Sequence, residues 1–389
     1  MSLIVSTADQ SLVDYFDCSL FGGGPRDWWF ANGSMRLSSM RRSRRSPNRV
    51  SNIRPFGRWL SRVAVAAVML LPGAIRLGAQ PVEPQLLRLE TKILLGDVKG
   101  RIDHMAIDPI RNRLFVAELG NDSVGIVDLA TGKVIHRIAE LTEPQGVAYE
   151  PSTDVIYVAN GGDGSVRMFQ GADLGTIGRI ELGDDADNIR IDLGANRVLV
   201  GYGGGAIAAI DPAQRRKIAE YAVPAHPEGF QLDRNTNRIF VNVPKAGAIV
   251  VIDGRTGKQT ATWPLIGAGG NFPMALDETT RRIFVAFRAP AKLGAFSVAD
   301  GRSIKQVDLC GDADDVFLDA KRRRAYVSCG QGFIDVFDTG DAEYRRLARI
   351  STVPGARTAY FEPPTDRLFL AVRATSAEPA AIWVFRAGP

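Results

Sequence analysis

The sequence predicts an all-β protein, a seven-bladed β-propeller of four-stranded blades whose last blade is closed by an N-terminal strand. Three observations lead to this prediction. A motif recurs seven times at intervals of 41 to 44 residues, each interval contains four short strand patterns, and one further strand pattern precedes the first repeat. A period of about 40–45 residues is the length of one four-stranded blade.

The recurring motif is a short apolar strand, as in "RLFVAE", "VIYVAN" and "RIFVAF". Its third residue is aromatic or aliphatic in all seven copies, which are centred on Phe115, Tyr157, Leu199, Phe240, Phe284, Tyr326 and Phe369. Short alternating runs bounded by Gly, Asn, Asp and Pro are typical of strands joined by hairpins.

Each repeat opens with an apolar-alternating run that ends in an acid, followed by a four-residue polar turn. These turn acids are Asp108, Glu150, Asp192, Asp233, Asp277, Asp319 and Glu362. Arginine usually opens the next strand, at Arg113, Arg197, Arg238, Arg282, Arg324 and Arg367. Because the same chemistry recurs in every repeat, we interpret these residues as structural turn residues rather than parts of an active site.

The last repeat ends at its third strand, "AAIWVFRAGP", so its fourth strand is missing. The segment "LLRLETKILLG", from Leu86 to Gly96, resembles the fourth strands of the other repeats. If it completes the last blade, the ring closes without an open sheet edge. We therefore predict one propeller domain over residues 80–389, with strands from about residue 85.

The residues before this domain have the layout of a secretory signal peptide. Residues 40–79 contain a basic segment, an apolar run from Val63 to Leu71 and small residues ending at Ala79. The apolar run is about half the roughly 20 residues needed to span a bilayer, so no permanent membrane span is expected. We interpret residues 1–39 as a possible mis-assigned upstream segment, with the true start at Met35 or Met40. The expected location is periplasmic or secreted.

The charge of the chain is unevenly distributed. The whole sequence carries a formal net charge of +5, but residues 1–79 hold eleven Arg and four Asp, which leaves the rest slightly negative. A basic nucleic-acid-binding surface on the folded part is therefore not expected. No Gly-rich phosphate loop opens a helix, and no nucleophile elbow or C-x-x-C-H haem motif is present.

The "YVAN" and "FVAE" cores with their "D-x-x-x-N-R" turns resemble the YVTN-type β-propeller repeat proteins that bacteria export. The resemblance covers residues 85–389. It implies the seven-bladed fold, but most members have no assigned reaction, so it implies no function.

One face of the propeller carries the loops from fourth to first strands and from second to third strands, and we call it the top face. A candidate site lies where the first strand of each repeat reaches this face. The residues four and five positions before each turn acid form a ring there, which we call the mouth ring. Its members are Asp103-His104, Gln145-Gly146, Asp187-Asn188, Glu228-Gly229, Phe272-Pro273, Asp314-Asp315 and Arg357-Thr358. Unlike the turn acids, they differ from blade to blade.

We predict that the mouth ring and its neighbours bind a small ligand, a metal ion or an envelope protein, in a protein that is a monomer. The predicted binding residues are Asp103, His104, Gln145, Asp187, Asn188, His226, Glu228, Asn271, Asp314, Asp315, Arg357 and Arg288. A plainer interpretation also stays open, in which the Asp and Asn side chains only cap strand ends.

The alternative function is a lactonase- or esterase-like hydrolase that depends on a divalent cation, Ca²⁺, Mg²⁺ or Zn²⁺. The metal ligands would be His104, Asp187, Asn188 and Glu228. This set is similar to the Glu, Asn and Asp residues around the metal of gluconolactonase-type lactonases, which differ in having six blades and another repeat.

Two cysteines fall within the predicted domain. Cys310 ends a fourth strand and Cys329 ends a second strand, so both are expected on the top face. In an oxidising compartment such a pair favours a disulfide. Two free buried thiols, or a redox or soft-metal pair, are the alternatives.

Overall fold

The structure, a computed structural model, describes residues 85–376 and 378–389. The predicted upstream segment and signal peptide lie outside the described residues. The described chain forms 28 strands in seven four-stranded antiparallel sheets arranged as a ring, which confirms the predicted seven-bladed propeller. In this part of the chain the only helices are short 3-10 turns, at Leu119–Asn121, Pro244–Ala246 and Pro363–Thr365.

The first three blades follow the predicted repeats in order. After β1 (Leu87–Gly96), blade 1 contains β2 (Met105–Asp108), β3 (Arg113–Glu118), β4 (Ser123–Asp128) and β5 (Lys133–Ile138). Blade 2 contains β6 (Pro144–Glu150), β7 (Val155–Asn160), β8 (Ser165–Gln170) and β9 (Thr176–Glu181). Blade 3 contains β10 (Ala186–Asp192), β11 (Arg197–Tyr202), β12 (Ala206–Asp211) and β13 (Arg216–Ala222).

The remaining blades repeat this arrangement. Blade 4 contains β14 (Phe230–Asp233), β15 (Arg238–Val243), β16 (Ala248–Asp253) and β17 (Gln259–Pro264). Blade 5 contains β18 (Gly269–Asp277), β19 (Arg282–Ala289), β20 (Ala291–Ser297) and β21 (Ser303–Asp308). Blade 6 contains β22 (Ala313–Asp319), β23 (Arg324–Cys329), β24 (Phe333–Asp338) and β25 (Arg346–Ser351). Blade 7 contains β26 (Ala359–Glu362), β27 (Arg367–Val372) and β28 (Ala380–Ala387).

The N-terminal strand completes blade 7, as predicted. β1 pairs antiparallel with β28, from Leu87 opposite Ala387 to Gly96 opposite Ala380. Glu90 on β1 also forms ion pairs with Arg367 at 3.0 Å and Arg386 at 2.5 Å. The two ends of the domain therefore share one sheet, and the ring has no open edge at its closure.

The hydrophobic core is divided among the seven blade boundaries. Each of the seven buried apolar clusters draws its residues from two neighbouring blades, and blade 7 packs on blade 1 in the same way. The aromatic residue of the repeated motif is buried in these clusters, as at Phe115, Tyr157 and Phe240. The repeated residues thus account for the packing of each blade on the next.

The turns between first and second strands lie on the opposite face, here called the bottom face, and the turn acids hold them together. Asp108 accepts backbone hydrogen bonds from Ile110 and Arg111, and Asp277 accepts them from Thr279 and Thr280. The last turn residue has a positive φ of 49–57° in every blade, at Asn112, Asp154, Asn196, Asn237, Arg281, Arg323 and Asp366. Asn and Asp tolerate this left-handed conformation better than most residues, which explains the "D-x-x-x-N-R" pattern.

Candidate functional site

A cavity of about 490 Å³ lies in the central channel and is lined by the first strand of every blade. The mouth ring forms its polar part. The predicted site residues that line it are Asp103, His104, Asp187, Asn188, Glu228, Asp314 and Asp315.

The hydrogen-bonded pairing of first and second strands is irregular at the mouth ring, and this irregularity sets the directions of the site side chains. On blades 2, 3, 5 and 6 the pairing of first and second strands shifts register at ring residues, for example between Ala186 and Ile189. On blades 1, 4 and 7 the ring residues precede the first strand altogether. Bulges of this kind redirect side chains away from regular alternation. The ring is also tight: a Cβ added at Gly146 would lie 2.0 Å from the carbonyl oxygen of Asp187.

His104 is surrounded by carboxylates from three blades. Its Nε2 lies 3.9 Å from Asp103 Oδ1 and 3.8 Å from Asp187 Oδ1, and its Nδ1 lies 4.0 Å from Asp315 Oδ1. Burial alone would lower the pKa of His104, but these three negative charges outweigh burial and raise it. The imidazole is therefore biased towards its charged form.

His226 also faces Asp187. Its Nδ1 lies 2.7 Å from the carbonyl oxygen of Gly203 and 3.5 Å from Asp185 Oδ2, and its Nε2 lies 4.0 Å from Asp187 Oδ2. Burial opposes the charged form, but Asp187 and the Gly203 carbonyl raise the pKa of His226 to about 9. The two histidines in turn outweigh burial and lower the pKa of Asp187, which stays ionised between them.

Three other carboxyl groups of the mouth resist ionisation. Burial raises the pKa of Asp315 to about 7, although His104 opposes this. Burial, reinforced by the charge of Asp187, raises the pKa of Glu228 to about 7. Burial raises that of Asp103 to about 6, against the charges of His104 and Arg101. The mouth therefore contains carboxyl groups that titrate near neutral pH.

Several acceptors in the mouth have no donor within the described chain. Asp187 and Asn188 are 7% and 3% exposed, and the Oδ1 atom of each is buried without a hydrogen-bond partner. The Glu228 carboxylate also accepts no hydrogen bond from residues 85–376 or 378–389, but Glu228 is only partly buried. Buried polar groups in proteins are normally satisfied, so Asp187 Oδ1 and Asn188 Oδ1 indicate a place for a donor from outside the chain.

Two predicted arginines, Arg288 of blade 5 and Arg357 of blade 7, lie beside the mouth ring. Arg288 forms an ion pair with Asp314 and lies 3.7 Å over the ring of Phe272. Arg357 binds Asp314 at 3.0 Å and Asp312 at 2.8 Å, and it lines a smaller cavity of about 110 Å³ beside the channel. Both predicted arginines therefore lie beside the mouth, with their charges balanced by aspartates.

Five of the predicted residues do not line the cavity wall: Gln145, His226, Asn271, Arg288 and Arg357. Asn271 is fully buried and donates to Asn242 Oδ1 at 3.2 Å and to the Ala248 carbonyl at 3.1 Å, so it connects β18 of blade 5 to strands of blade 4. Gln145 lies at the rim and donates to Asp185 Oδ1 at 2.9 Å. His226 contributes through Asp187 rather than by lining the cavity itself.

Sequence reasoning missed the layer below the mouth ring. Two residues after the second ring position, the first strands carry Ala106, Ala148, Arg190, Gln231, Ala275, Phe317 and Tyr360, and all seven line the cavity. The same alignment of repeats could have found them, because this position also varies from blade to blade. Arg101 was missed as well, and its Nη2 contacts Asp103 Oδ2 at 2.5 Å.

Within the described part of the chain, no group of three or more His, Cys, Asp or Glu side chains is arranged to hold a metal ion. Among the predicted ligands, Asn188 Nδ2 lies 3.2 Å from Asp187 Oδ2 and His104 Nε2 lies 3.8 Å from Asp187 Oδ1. The metal assignment to His104, Asp187, Asn188 and Glu228 stays a prediction.

A disulfide joins Cys310 and Cys329, whose Cα atoms lie 5.9 Å apart. Both residues are fully buried in the core between blades 5 and 6. The bond connects the segment between β21 and β22 with the end of β23. It therefore fixes one part of the top face.

No protein-family model matches the chain, and no curated protein matches it by sequence. The likeness to YVTN-type repeats accordingly stays a prediction. Among residues 85–376 and 378–389, no helix is long and apolar enough to cross a membrane.

Solved structures resemble the chain in fold. A chain of the hydrazine synthase of Kuenenia stuttgartiensis has a TM-score of 0.62 at 17% identity, over 72% of this chain and 98% of that one. A chain of a mitotic checkpoint complex has a TM-score of 0.66 at 12% identity, over 84% of this chain and 98% of that one. At such low identity these likenesses show the propeller fold alone.

Proposed function

We propose that the protein binds a small polar ligand in its central channel, at the mouth ring. The observation that carries the proposal is the set of acceptors without donors in the wall of the 490 Å³ cavity, above all Asp187 Oδ1 and Asn188 Oδ1. Leaving such atoms unsatisfied costs about 1–3 kcal/mol each. A ligand that donates hydrogen bonds to them recovers that cost.

The size and composition of the cavity support this function. Ligand cavities in proteins are about 300–1,000 Å³ and combine apolar walls with a few polar groups. Here the polar groups converge on Asp187, while Met274, Phe317 and Tyr360 provide apolar wall. The carboxyl groups of Glu228 and Asp315 have raised pKa values of about 7. Because their charge changes near neutral pH, the affinity of the mouth should depend on the charge of the ligand.

The proposal is tested by a thermal-shift screen of the protein expressed from its full sequence. The library contains amino acids, amines, organic acids, sugars and polyols, and the salts of Ca²⁺, Mg²⁺ and Zn²⁺. We expect at least one class to raise the melting temperature of the wild type and to lose this effect in Asp187→Asn. A bound ligand stabilises the folded state in proportion to the logarithm of its concentration.

A matched control is Asp277→Asn, an aspartate of the bottom-face turns that accepts only local hydrogen bonds. It should keep the ligand effect of the wild type. If no class shifts the wild type, or if both variants lose the effect equally, binding at the mouth ring is wrong.

The metal-dependent hydrolase and the envelope-protein partner stay predictions that no observation in the described chain favours over small-ligand binding. Elemental analysis of the purified protein tests the first of them. Near-stoichiometric metal in the wild type, lost in His104→Ala and in Asp187→Ala, would support a metal site and justify a lactone and ester screen.

We also propose that the protein is exported to the periplasm or beyond. The signal-like layout of residues 40–79 and the disulfide between Cys310 and Cys329 both support export, because disulfides persist in oxidising compartments. Expression in a bacterium with an outer membrane should yield periplasmic protein whose N-terminus begins near residue 80. Uncleaved protein in the cytoplasmic fraction would contradict the proposal.

A further inference from the structure

The channel wall also contains a partly buried cationic donor, Arg190. Arg190 follows the mouth ring on β10 and lines the cavity. Its Nε donates to the Phe230 carbonyl at 3.1 Å and its Nη1 to the Ile189 carbonyl at 2.8 Å. Its Nη2 makes no hydrogen bond to any described residue, and none of their carboxylates lies within 4.0 Å of the guanidinium.

This lack of a carboxylate partner separates Arg190 from the arginines around it. Arg101, Arg288 and Arg357 each form an ion pair with an aspartate of the mouth ring. The charge of Arg190 instead acts at longer range on Asp315 and Asp187 and, from blade 3, on Tyr360 of blade 7. A guanidinium that has no carboxylate partner and keeps a free Nη2 group is suited to bind the carboxylate of a ligand.

These acceptors lie on the same side of the channel as Arg190. Asp187 and Asn188 belong to blade 3, like Arg190, and Glu228 belongs to the neighbouring blade 4. Asn188 and Arg190 are two residues apart on β10, and both line the cavity. A short molecule can therefore contact both.

Resting on the proposed function, we infer that the ligand is a small zwitterion of the amino-acid type. Its primary ammonium donates to Asp187, Asn188 and Glu228, and its carboxylate binds Arg190. A primary ammonium has three N–H donors, enough for the unsatisfied acceptors of Asp187 and Asn188 and for the Glu228 carboxylate.

The far wall of the channel suits the rest of such a molecule. Phe317 and Tyr360, from blades 6 and 7, line the cavity and pack edge to face, with ring centroids 5.8 Å apart. The alanines at the same level, Ala106 and Ala148, leave space between the charged side and this aromatic side. An apolar or aromatic side chain on the ligand therefore has a surface to contact.

Calorimetric titration of the full-length protein tests the inference. The probes are the 20 standard L-amino acids with β-alanine and 4-aminobutanoate, which place the two charges farther apart. The best binder is compared with its amine, which lacks the carboxylate, and with its acid, which lacks the ammonium. We expect the zwitterion to bind at least roughly tenfold more tightly than either, since each removes one charged contact.

Two variants test which residue binds the carboxylate of the ligand and which binds its ammonium. Arg190→Gln should weaken the zwitterion and the acid but leave the amine unchanged, whereas Glu228→Gln should weaken the zwitterion and the amine but leave the acid unchanged. Arg302→Gln is the matched control, because Arg302 is exposed in a hairpin turn of blade 5. If Arg190→Gln fails to fold, the comparison of the three ligands in the wild type still decides.

The outcomes separate this inference from the proposed function. If neutral polyols or organic acids bind in an Asp187-dependent manner and no amino acid does, the zwitterion is wrong and ligand binding stands. If the amine or the acid binds as tightly as the zwitterion, the inference is overturned in the same way. If no class of compound binds, both proposals are wrong.

Discussion

The acidic residues on the two faces of this propeller have opposite environments and opposite shifts in pKa. On the bottom face the turn acids recur in every blade and are satisfied by local hydrogen bonds and by arginine, so that Arg281 helps to hold the pKa of Asp233 at about 2, against burial. On the top face the acids differ from blade to blade, and burial raises the pKa of Glu228 and Asp315 to about 7.

This difference teaches where stability and binding reside in a repeat fold. Most residues that recur at the same place satisfy one another and stabilise each blade. Among the residues that differ, Asp187 and Asn188 leave buried polar atoms unsatisfied, which costs stability unless a ligand supplies the missing partners. Substitutions on the two faces should therefore have opposite consequences.

The largest expected effect is on the bottom face. Asp319 is buried and accepts hydrogen bonds from the Tyr326 hydroxyl at 2.8 Å and from Arg322 Nη1 at 2.9 Å. Asp319→Ala leaves these donors without this acceptor and should lower the free energy of unfolding by about 3 kcal/mol in urea denaturation. Asp319→Asn keeps an acceptor for the Tyr326 hydroxyl and should lose less. A loss below about 0.5 kcal/mol for Asp319→Ala would contradict the structural role of the turn acids.

The disulfide should have the next largest effect. It closes a loop with a sequence separation of 19 residues, and constraining a loop of this size contributes about 3 kcal/mol through the unfolded state. The double variant Cys310→Ser/Cys329→Ser should lose about 2–3 kcal/mol, and dithiothreitol should destabilise the wild type but not this variant. Equal stability with and without the reductant would show that the bond does not stabilise the fold.

The mouth should make stability depend on pH. Because burial raises the pKa of Glu228 to about 7 in the folded state, the folded protein keeps a proton there that the unfolded chain releases above about pH 4.5. The free energy of unfolding therefore falls as pH rises from about 5 to 7. The charges of Asp187 and Asp314 add to the effect, and those of His226 and Arg288 reduce it.

Glu228→Gln removes this titration. The variant should gain on the order of 2 kcal/mol over the wild type at pH 8 and should nearly equal it at pH 4.5. Urea denaturation at both pH values measures the difference, with Asp277→Asn as the bottom-face control. A variant that is less stable than the wild type at pH 8 would mean that Glu228 has a stabilising partner.

The smallest effect on stability is expected at Asn188. Its Oδ1 has no partner, and its Nδ2 makes a single hydrogen bond, to Asp187 Oδ2 at 3.2 Å. Asn188→Ala should change the free energy of unfolding by less than about 1 kcal/mol and should still abolish most of the ligand-induced thermal shift. A large loss of stability would assign Asn188 to the fold instead of the site.

The sequence was sufficient for the fold because the fold is carried by what repeats. The spacing of residues such as Phe115 and Tyr157 predicted the blades, and the missing fourth strand predicted the pairing of β1 with β28. The same alignment of repeats predicted the mouth ring, because it showed the equivalent positions at which the residues vary from blade to blade.

The details of the site depend on distances that no repeat encodes. His104 meets Asp315, from a blade far away in the sequence, only because the ring closes. Asn271 is of a residue type common in binding sites, but it is buried and bonded to the Ala248 carbonyl. Arg190 lies in a strand pattern that indicates only structure, yet it lines the cavity. Which side chains stay unsatisfied becomes visible only when the seven first strands are brought together.

The most direct test of the contrast between the two faces compares Asp319→Asn with Asn188→Ala in one experiment. For each variant, the melting temperature is measured alone and with the compound that shifts the wild type most. Asp319→Asn should melt below the wild type and keep the full ligand-induced gain, whereas Asn188→Ala should melt near the wild type and lose most of that gain. The opposite pattern, or no gain for the wild type with any compound, would contradict the division of stability and binding between the two faces.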